Sequence, residues 1–157
     1  MNDSLMPEWM KKKIEREAQG KNREEASKQR ATAAASLLQL KIPEYWQRLK
    51  EKLAIAVEFL PKLDMQGQIT PSGDKGLRIS VSRPGIFANQ TVTDIFLAPR
   101  AITCTGLNLG TYTLMFCVVS DTEIAVMLDG MGEPMNPDQA SEYIMRQMVE
   151  LIDLHLK

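Results

Sequence analysis

The stretch from Thr111 to Asp129 (TYTLMFCVVSDTEIAVMLD) limits the possible folds more than any other part of the chain. It predicts two strands joined by a polar turn at residues 120–122, with Val119 paired with Glu123. One face of this hairpin then carries an apolar ladder: Leu114 with Leu128, Phe116 with Val126, and Val118 with Ile124. The other face is nearly as apolar and carries Met115, Cys117, Ala125 and Met127. A hairpin with one hydrated face alternates apolar and polar residues, so both faces of this one need a cover.

Six strands are predicted in all, because the apolar period changes from 3.6 to 2 after Pro61. Their expected ranges are Asp64 to Thr70, Leu77 to Arg83, Thr91 to Ala98, Ala101 to Leu107, Thr111 to Val119 and Glu123 to Asp129. Short turns join them, and the longest, Pro84 to Gln90, includes Ile86 and Phe87. The pattern predicts an α+β fold with an antiparallel six-stranded meander sheet.

Two helices are predicted before the sheet and one long helix after it. Residues 1–30 are expected to form a charged, partly mobile helical arm, because their only apolar patch is short: Trp9, Met10, Ile14 and Ala18. Residues 31–157 are expected to form a single α+β domain. A second helix is predicted from Pro43 to Leu60, with Trp46 as a core anchor, since proline favours a helix start. Asn136, Pro137 and Gln139 predict a capped C-terminal helix that reaches about Leu156 and packs on the sheet.

Composition excludes several classes of partner. The 157 residues suffice for one domain with a full core, and the net charge of -1 offers no bulk attraction to nucleic acid. Residues 1–30 hold eight Lys/Arg against six Asp/Glu, whereas residues 121–157 hold two against eight. No run approaches the roughly 18 apolar residues of a membrane span, and the N-terminus lacks a signal-peptide pattern. We therefore expect a cytoplasmic protein without a membrane or nucleic-acid partner.

The residues that usually carry chemistry are scarce. The one histidine, His155, is expected in the last turn of the last helix. A single histidine at that position supports neither a catalytic triad nor a zinc site. Cys104 is expected opposite about Leu114, which leaves Cys117 some three residues out of register and too far for a disulfide. We therefore predict no catalytic residue, no cofactor and no metal, and a protein that is not an enzyme.

Four charged residues stand out in the strand region. Asp94 lies inside an apolar strand, where pairing with a neighbouring arginine is the expected arrangement. Arg78, Arg83 and Arg100 could contact an anionic ligand if one face of the sheet forms a groove. A hydrated sheet face explains the same three arginines equally well.

The order of elements is similar in outline to two architectures, and no motif of either is matched. One is the small dimeric secretion chaperone and the other is the helix-grip fold, which holds an apolar ligand between sheet and C-terminal helix. The leading hypothesis is a non-enzymatic, adaptor-like or chaperone-like interaction module that binds itself or another protein. If both helices cover the Phe116 face, Met115, Cys117, Ala125 and Met127 form a homodimer interface. The alternative is a carrier of small apolar ligands.

Overall fold

The computed structural model describes residues 5–85, 89–106 and 109–154. The predictions that concern Ile86, Phe87, Leu107, His155 and Leu156 lie outside these ranges. The chain divides into two units, Met1–Ser36 and Leu37–Lys157, and the paragraphs on the sheet concern the second.

The elements form an α+β fold. Helix α1 (Glu8–Phe59) continues into a short 3-10 helix (Leu60–Leu63), and helix α2 is Pro137–Leu154. The strands are β1 (Gln66–Pro71), β2 (Gly76–Arg83), β3 (Asn89–Leu97), β4 (Ala101–Gly106), β5 (Gly110–Val118) and β6 (Ile124–Leu128). They lie in chain order in one antiparallel sheet, so the predicted six-stranded meander is confirmed.

The prediction of two separate helices before the sheet is wrong, because α1 passes through Pro43 without ending. A proline inside a helix removes one backbone hydrogen bond and usually favours a break. Here the stripe of buried residues keeps its helical spacing across the proline, from Leu38 and Ile42 to Trp46 and Leu49. Pro43 itself is exposed, so the carbonyl that lacks its partner lies on the hydrated side of the helix. Burial of the stripe outweighs the local cost of the proline.

Both helices pack on the same face of the sheet, which we call the covered face. From α1, Tyr45 makes an edge-on aromatic contact with Phe116 of β5, with ring centroids 5.3 Å apart. A side chain at Gly67 of β1 would clash with Leu60, which lies just past the end of α1. From α2, Tyr143 makes a similar contact with Tyr112, at 5.6 Å. The helices thus cover the sheet from β1 to β5 on one side.

The core lies between the covered face and the two helices. Its fully buried side chains come from every layer: Leu49, Leu53, Ile79, Val81, Ile95, Ile102, Leu114, Val126, Ile144, Met148 and Ile152. Burial of such side chains is the main favourable term in folding. Trp46 is 5% exposed, so its predicted role as a core anchor is confirmed.

The predicted register is confirmed for one hairpin and wrong for another. In β5–β6 every predicted pair is present, from Leu114 with Leu128 to Val118 with Ile124. In β4–β5 Cys104 pairs with Tyr112 instead of Leu114, a slip of two residues, because the ladder extends to Gly106 and Gly110. Gly110 has a φ of 74°, a conformation that suits glycine at the end of a short hairpin loop.

The start of α2 and the edge of β6 are held together. The predicted capping box is confirmed. The backbone N–H of Gln139 donates to Asn136 Oδ1 at 2.8 Å, and the backbone N–H of Asn136 donates to Gln139 Oε1 at 2.9 Å. Immediately before this cap, Met135 exchanges two backbone hydrogen bonds with Val126 on the outer side of β6. The Tyr45 hydroxyl donates to the Met135 carbonyl at 2.9 Å, which ties α1 to the same corner.

Candidate interaction surface

The face of the sheet opposite the two helices, which we call the open face, bears an apolar patch on its last two strands. We define the β5–β6 patch as Met115, Cys117, Val119, Ala125 and Met127. The pairing of Met115 with Met127 and of Cys117 with Ala125 places these side chains in two adjacent rows. All four predicted interface residues therefore lie together, as the alternation of a strand requires.

Exposure across the β5–β6 patch is uneven. Met115 is 45% exposed and Val119 is 53% exposed, whereas Cys117 and Met127 are half-buried. Ala125 is only 4% exposed, since its small side chain is screened by its larger neighbours. Val119 was not among the predicted interface residues, although it shares the parity of Met115 and Cys117 along the chain. Its alternation with Val118 was the available signal.

The side chain of Met115 leans toward the turn that follows β6. A Cβ added to Gly130 would lie 3.2 Å from the Met115 sulfur. Gly130 has a φ of 74° and the preceding Asp129 has a φ of 49°, so the backbone turns sharply beside the thioether. The Asp129 amide donates to the Thr113 carbonyl at 2.7 Å, which fixes this turn against β5. A flexible thioether in such a place can adapt to a surface laid over it.

The two cysteines lie on opposite faces of the sheet. Cys104 is buried on the covered face, where burial raises the pKa of its thiol to about 12 and the nearby Tyr112 hydroxyl lowers it by a smaller amount. Partial burial also raises the pKa of the Cys117 thiol. Both are free thiols, as predicted, and both are protonated at neutral pH. Neither is therefore a low-pKa thiol of the kind that serves as a catalytic nucleophile.

The remainder of the open face is mainly polar. Arg78 of β2 and Asp94 of β3 are opposite each other, and two hydrogen bonds join the guanidinium to the carboxylate at 2.8 and 3.2 Å. The ion pair raises the pKa of Arg78. Asp94 therefore has the arginine partner expected from the sequence. Polar side chains extend on either side of this pair: Gln66, Gln68, Thr70, Ser80, Ser82, Gln90, Thr103, Thr105, Thr111 and Thr113.

The three arginines considered as an anion contact do not converge. Arg78 lies on the open face, whereas Arg83 lies on the covered face and donates to Asp153 of α2 at 2.9 Å. Arg100 is exposed at the corner before β4, where its carbonyl accepts from the Phe116 amide at 3.0 Å. Two of the three charges thus have intramolecular carboxylate partners, and the anion contact stays a prediction.

An apolar groove, which we call the helix groove, lies between α1 and α2 and has a volume of about 540 Å³. Ile55, Phe59 and Leu63 line one wall and are 47%, 59% and 53% exposed. Met145 and Val149 of α2 line the other wall. The prediction of the Pro43 helix recorded only its core stripe and missed this groove. The signal was present as a second set of apolar residues at spacings of four along the same helix.

The space between α2 and the sheet is filled by side chains. Ile79 and Val81 of β2, Ile95 of β3, and Met148 and Ile152 of α2 are all fully buried in one cluster. A carrier of apolar ligands needs a cavity there, so this packing gives no support to the carrier alternative.

The donor set for a metal or a cofactor is sparse in the described ranges. Within residues 5–85, 89–106 and 109–154, His, Cys, Asp and Glu side chains nowhere gather in a group of three that could hold a metal ion.

In the same ranges, neither helix contains a stretch long and apolar enough to cross a membrane.

Comparison with known proteins gives no relative from which a role could be carried over. No protein-family model, curated protein or solved structure matches the chain.

Proposed function

We propose that this protein is a non-enzymatic interaction module that assembles with a second copy of itself through the β5–β6 patch. One observation carries the proposal: both helices lie on the covered face, while the apolar residues at the β5–β6 end of the open face remain accessible. Met115 and Val119 are about half exposed there. Adjacent accessible apolar side chains of this kind often form a contact surface.

A second copy is a suitable cover because the patch can complement itself. A two-fold axis parallel to the strands lays the β4 side of one patch over the β6 side of the other. Arg100 lies on the β4 side and is exposed, whereas Glu123 and Asp129 lie on the β6 side and are also exposed. The same axis therefore brings opposite charges together at the rim. The apolar centre contributes most of the affinity, and the charged rim fixes the orientation.

Met127→Glu tests this proposal by light scattering. The wild-type chain is expected to be a dimer at micromolar concentration and the variant a folded monomer, because an unpaired charge buried in the interface costs several kcal/mol. Gln68→Glu is the matched control. It adds the same charge to the same face at an exposed position on β1 and should leave the dimer intact.

Two results would overturn the proposal. The first is a wild-type chain that is monomeric at micromolar concentration. The second is a Met127→Glu chain that unfolds, as judged by circular dichroism, together with a Met115→Glu chain that folds and remains dimeric. Met115 is the more exposed of the two methionines, so a folded Met115→Glu variant that stays dimeric would show that the patch is not the interface.

A further inference from the structure

The helix groove contains apolar side chains that the core does not use. Within α1 the buried stripe follows Leu49, Leu53 and Val57, whereas Ile55 and Phe59 point to the groove. Exposed aromatic and aliphatic groups at helical spacing cost solubility without adding to the core. The shape of the groove, with one helix on each side, is the shape that accepts a third amphipathic helix.

The floor and the rim of the groove also suit a helix. Ala56 and Ser141 are small residues on facing helices, so a third helix can approach closely between them. At one end Lys52 pairs with Asp138 at 3.1 Å, and on the α2 side Arg146 pairs with Glu142 at 3.2 Å. An apolar floor bounded by ion pairs matches the apolar centre and polar rim of protein interfaces.

We propose that the helix groove binds the apolar stripe of the N-terminal arm from a second copy of the chain. In that arm Trp9 is 67% exposed and Ile14 is 52% exposed, and Met10 lies between them. Trp9 and Ile14 supply large apolar groups on a helix that is otherwise charged. They are a convex surface of the kind that a groove between two helices requires, whereas a second groove is concave and cannot fill the first.

The lengths of the two surfaces agree. The α1 wall of the groove extends from Lys52 to Leu63, eleven residue steps or about 16 Å at the helical rise. The apolar stripe of the arm extends from Trp9 to Ala18, nine steps or about 14 Å. One docked stripe therefore occupies most of the groove.

The charges around the helix groove are balanced by its own ion pairs. Helix α2 holds four carboxylates and one arginine: Asp138, Glu142, Glu150, Asp153 and Arg146. Three of these carboxylates already form ion pairs, with Lys52, Arg83 and Arg146, and the groove lining itself holds two cations and two carboxylates. Around the arm stripe, residues 8–18 hold four cations against three carboxylates: Lys11, Lys12, Lys13 and Arg16 against Glu8, Glu15 and Glu17. Apolar contact and not charge is therefore expected to hold the arm in the groove, so added salt should not weaken the binding.

The tryptophans of the chain provide the test, because the chain has only two. A reporter chain carries Trp46→Phe, so that Trp9 is its one fluorophore, and Ile55→Lys, which blocks its own groove. Ile55 is half exposed, so this lysine is expected to leave the fold intact. An acceptor chain carries Trp9→Phe and Trp46→Phe and keeps an intact groove. Circular dichroism confirms that each variant is folded before mixing.

Addition of acceptor to reporter should shift the Trp9 emission to the blue by several nanometres, in a saturable manner. The matched control is an acceptor that also carries Phe59→Lys, which should produce no shift. A second control, Gln47→Lys in the acceptor, adds the same charge at an exposed position of α1 outside the groove and should preserve the shift. Met127→Glu in both chains should also preserve it, because the groove and the β5–β6 patch lie on opposite sides of the sheet.

Three results would overturn the proposal. The emission could remain unchanged at a large excess of acceptor, which would show that the arm does not bind the groove. The shift could persist with the Phe59→Lys acceptor, which would place the arm elsewhere on the second copy. It could also vanish with Met127→Glu alone, which would assign it to the sheet contact.

Discussion

The two faces of the sheet carry similar apolar residues that differ in how far they are buried. On the covered face, Leu114 and Phe116 of β5 point toward the helices and are buried. On the open face, Met115 of the same strand is nearly half exposed, and Cys117 is half-buried. Consecutive residues of one strand therefore lie in two environments. The row on the open face is nearly as apolar as the row on the covered face, although the two helices pack on the covered face alone.

The contrast is sharpest at the end of the sheet formed by β5 and β6. Toward β1 the open face carries Gln68, Ser80 and the Arg78–Asp94 pair, which is the hydrated pattern of an antiparallel sheet with one buried face. The β5–β6 patch departs from that pattern, and so does Phe96 of β3, which lies on the same face as Asp94 and is 44% exposed. Most of the apolar side chains of the open face, though not all of them, therefore lie on its last two strands.

Thiol alkylation compares the faces directly and has the largest expected effect. Cys117 should react with iodoacetamide in the folded chain, whereas Cys104 should react only after the domain opens. If opening costs about 5 kcal/mol, Cys104 is labelled roughly 5 × 10³-fold more slowly. Mass spectrometry of the labelled peptides measures both rates. Cys117 should also become slower at high protein concentration in the wild-type chain but not in Met127→Glu.

Equal labelling rates for the two thiols would break the comparison, since they would place both cysteines in the same environment. If the labelling rate of Cys117 in the wild-type chain does not depend on protein concentration, the proposed contact is contradicted. The description of the fold is not affected.

Truncation of adjacent residues on β5 should have the next largest effect. Leu114→Ala removes a fully buried side chain and should lower the free energy of unfolding by about 2–5 kcal/mol. Met115→Ala should change it by less than about 1 kcal/mol, because its side chain is half exposed. Both are measured by denaturant titration in the Met127→Glu background, which is expected to be monomeric. A Met115→Ala loss as large as that of Leu114→Ala would show that the open face is covered within one chain.

The assignment of residues to faces could be predicted because it depends only on alternation. The β5–β6 register followed from the polar turn at residues 120–122 and is confirmed in full. The β4–β5 register is wrong by two residues, yet a slip of two keeps every side chain on its face. Cys104 therefore remained on the side opposite Cys117 although its partner changed. For this reason the predicted interface residues still lie on one face, although the predicted β4–β5 register is wrong.

The helices were harder to predict because their limits depend on packing. Pro43 favoured a break on local grounds, and burial of Ile42 and Trp46 on either side overrides that preference. The groove stripe of Ile55 and Phe59 was missed for a related reason. A sequence pattern shows which residues are apolar, but the division of two apolar stripes between core and groove depends on where α2 packs.

Removal of the N-terminal arm should have the smallest effect and tests whether the covered face is sufficient for stability. Between Gly20 and Arg30 the helix has no apolar stripe, so deletion of residues 1–30 removes little buried area and should shift the melting temperature by only about a few degrees. Deletion of residues 1–42 is the matched control, because it also removes Leu38 and Ile42, which belong to the buried core. The longer deletion should therefore destabilise the domain clearly more than the shorter one. Scanning calorimetry at low protein concentration measures both, so that contacts between copies do not contribute. An insoluble or unfolded chain after the shorter deletion would mean that the arm supplies stability that the core of the sheet and helices does not.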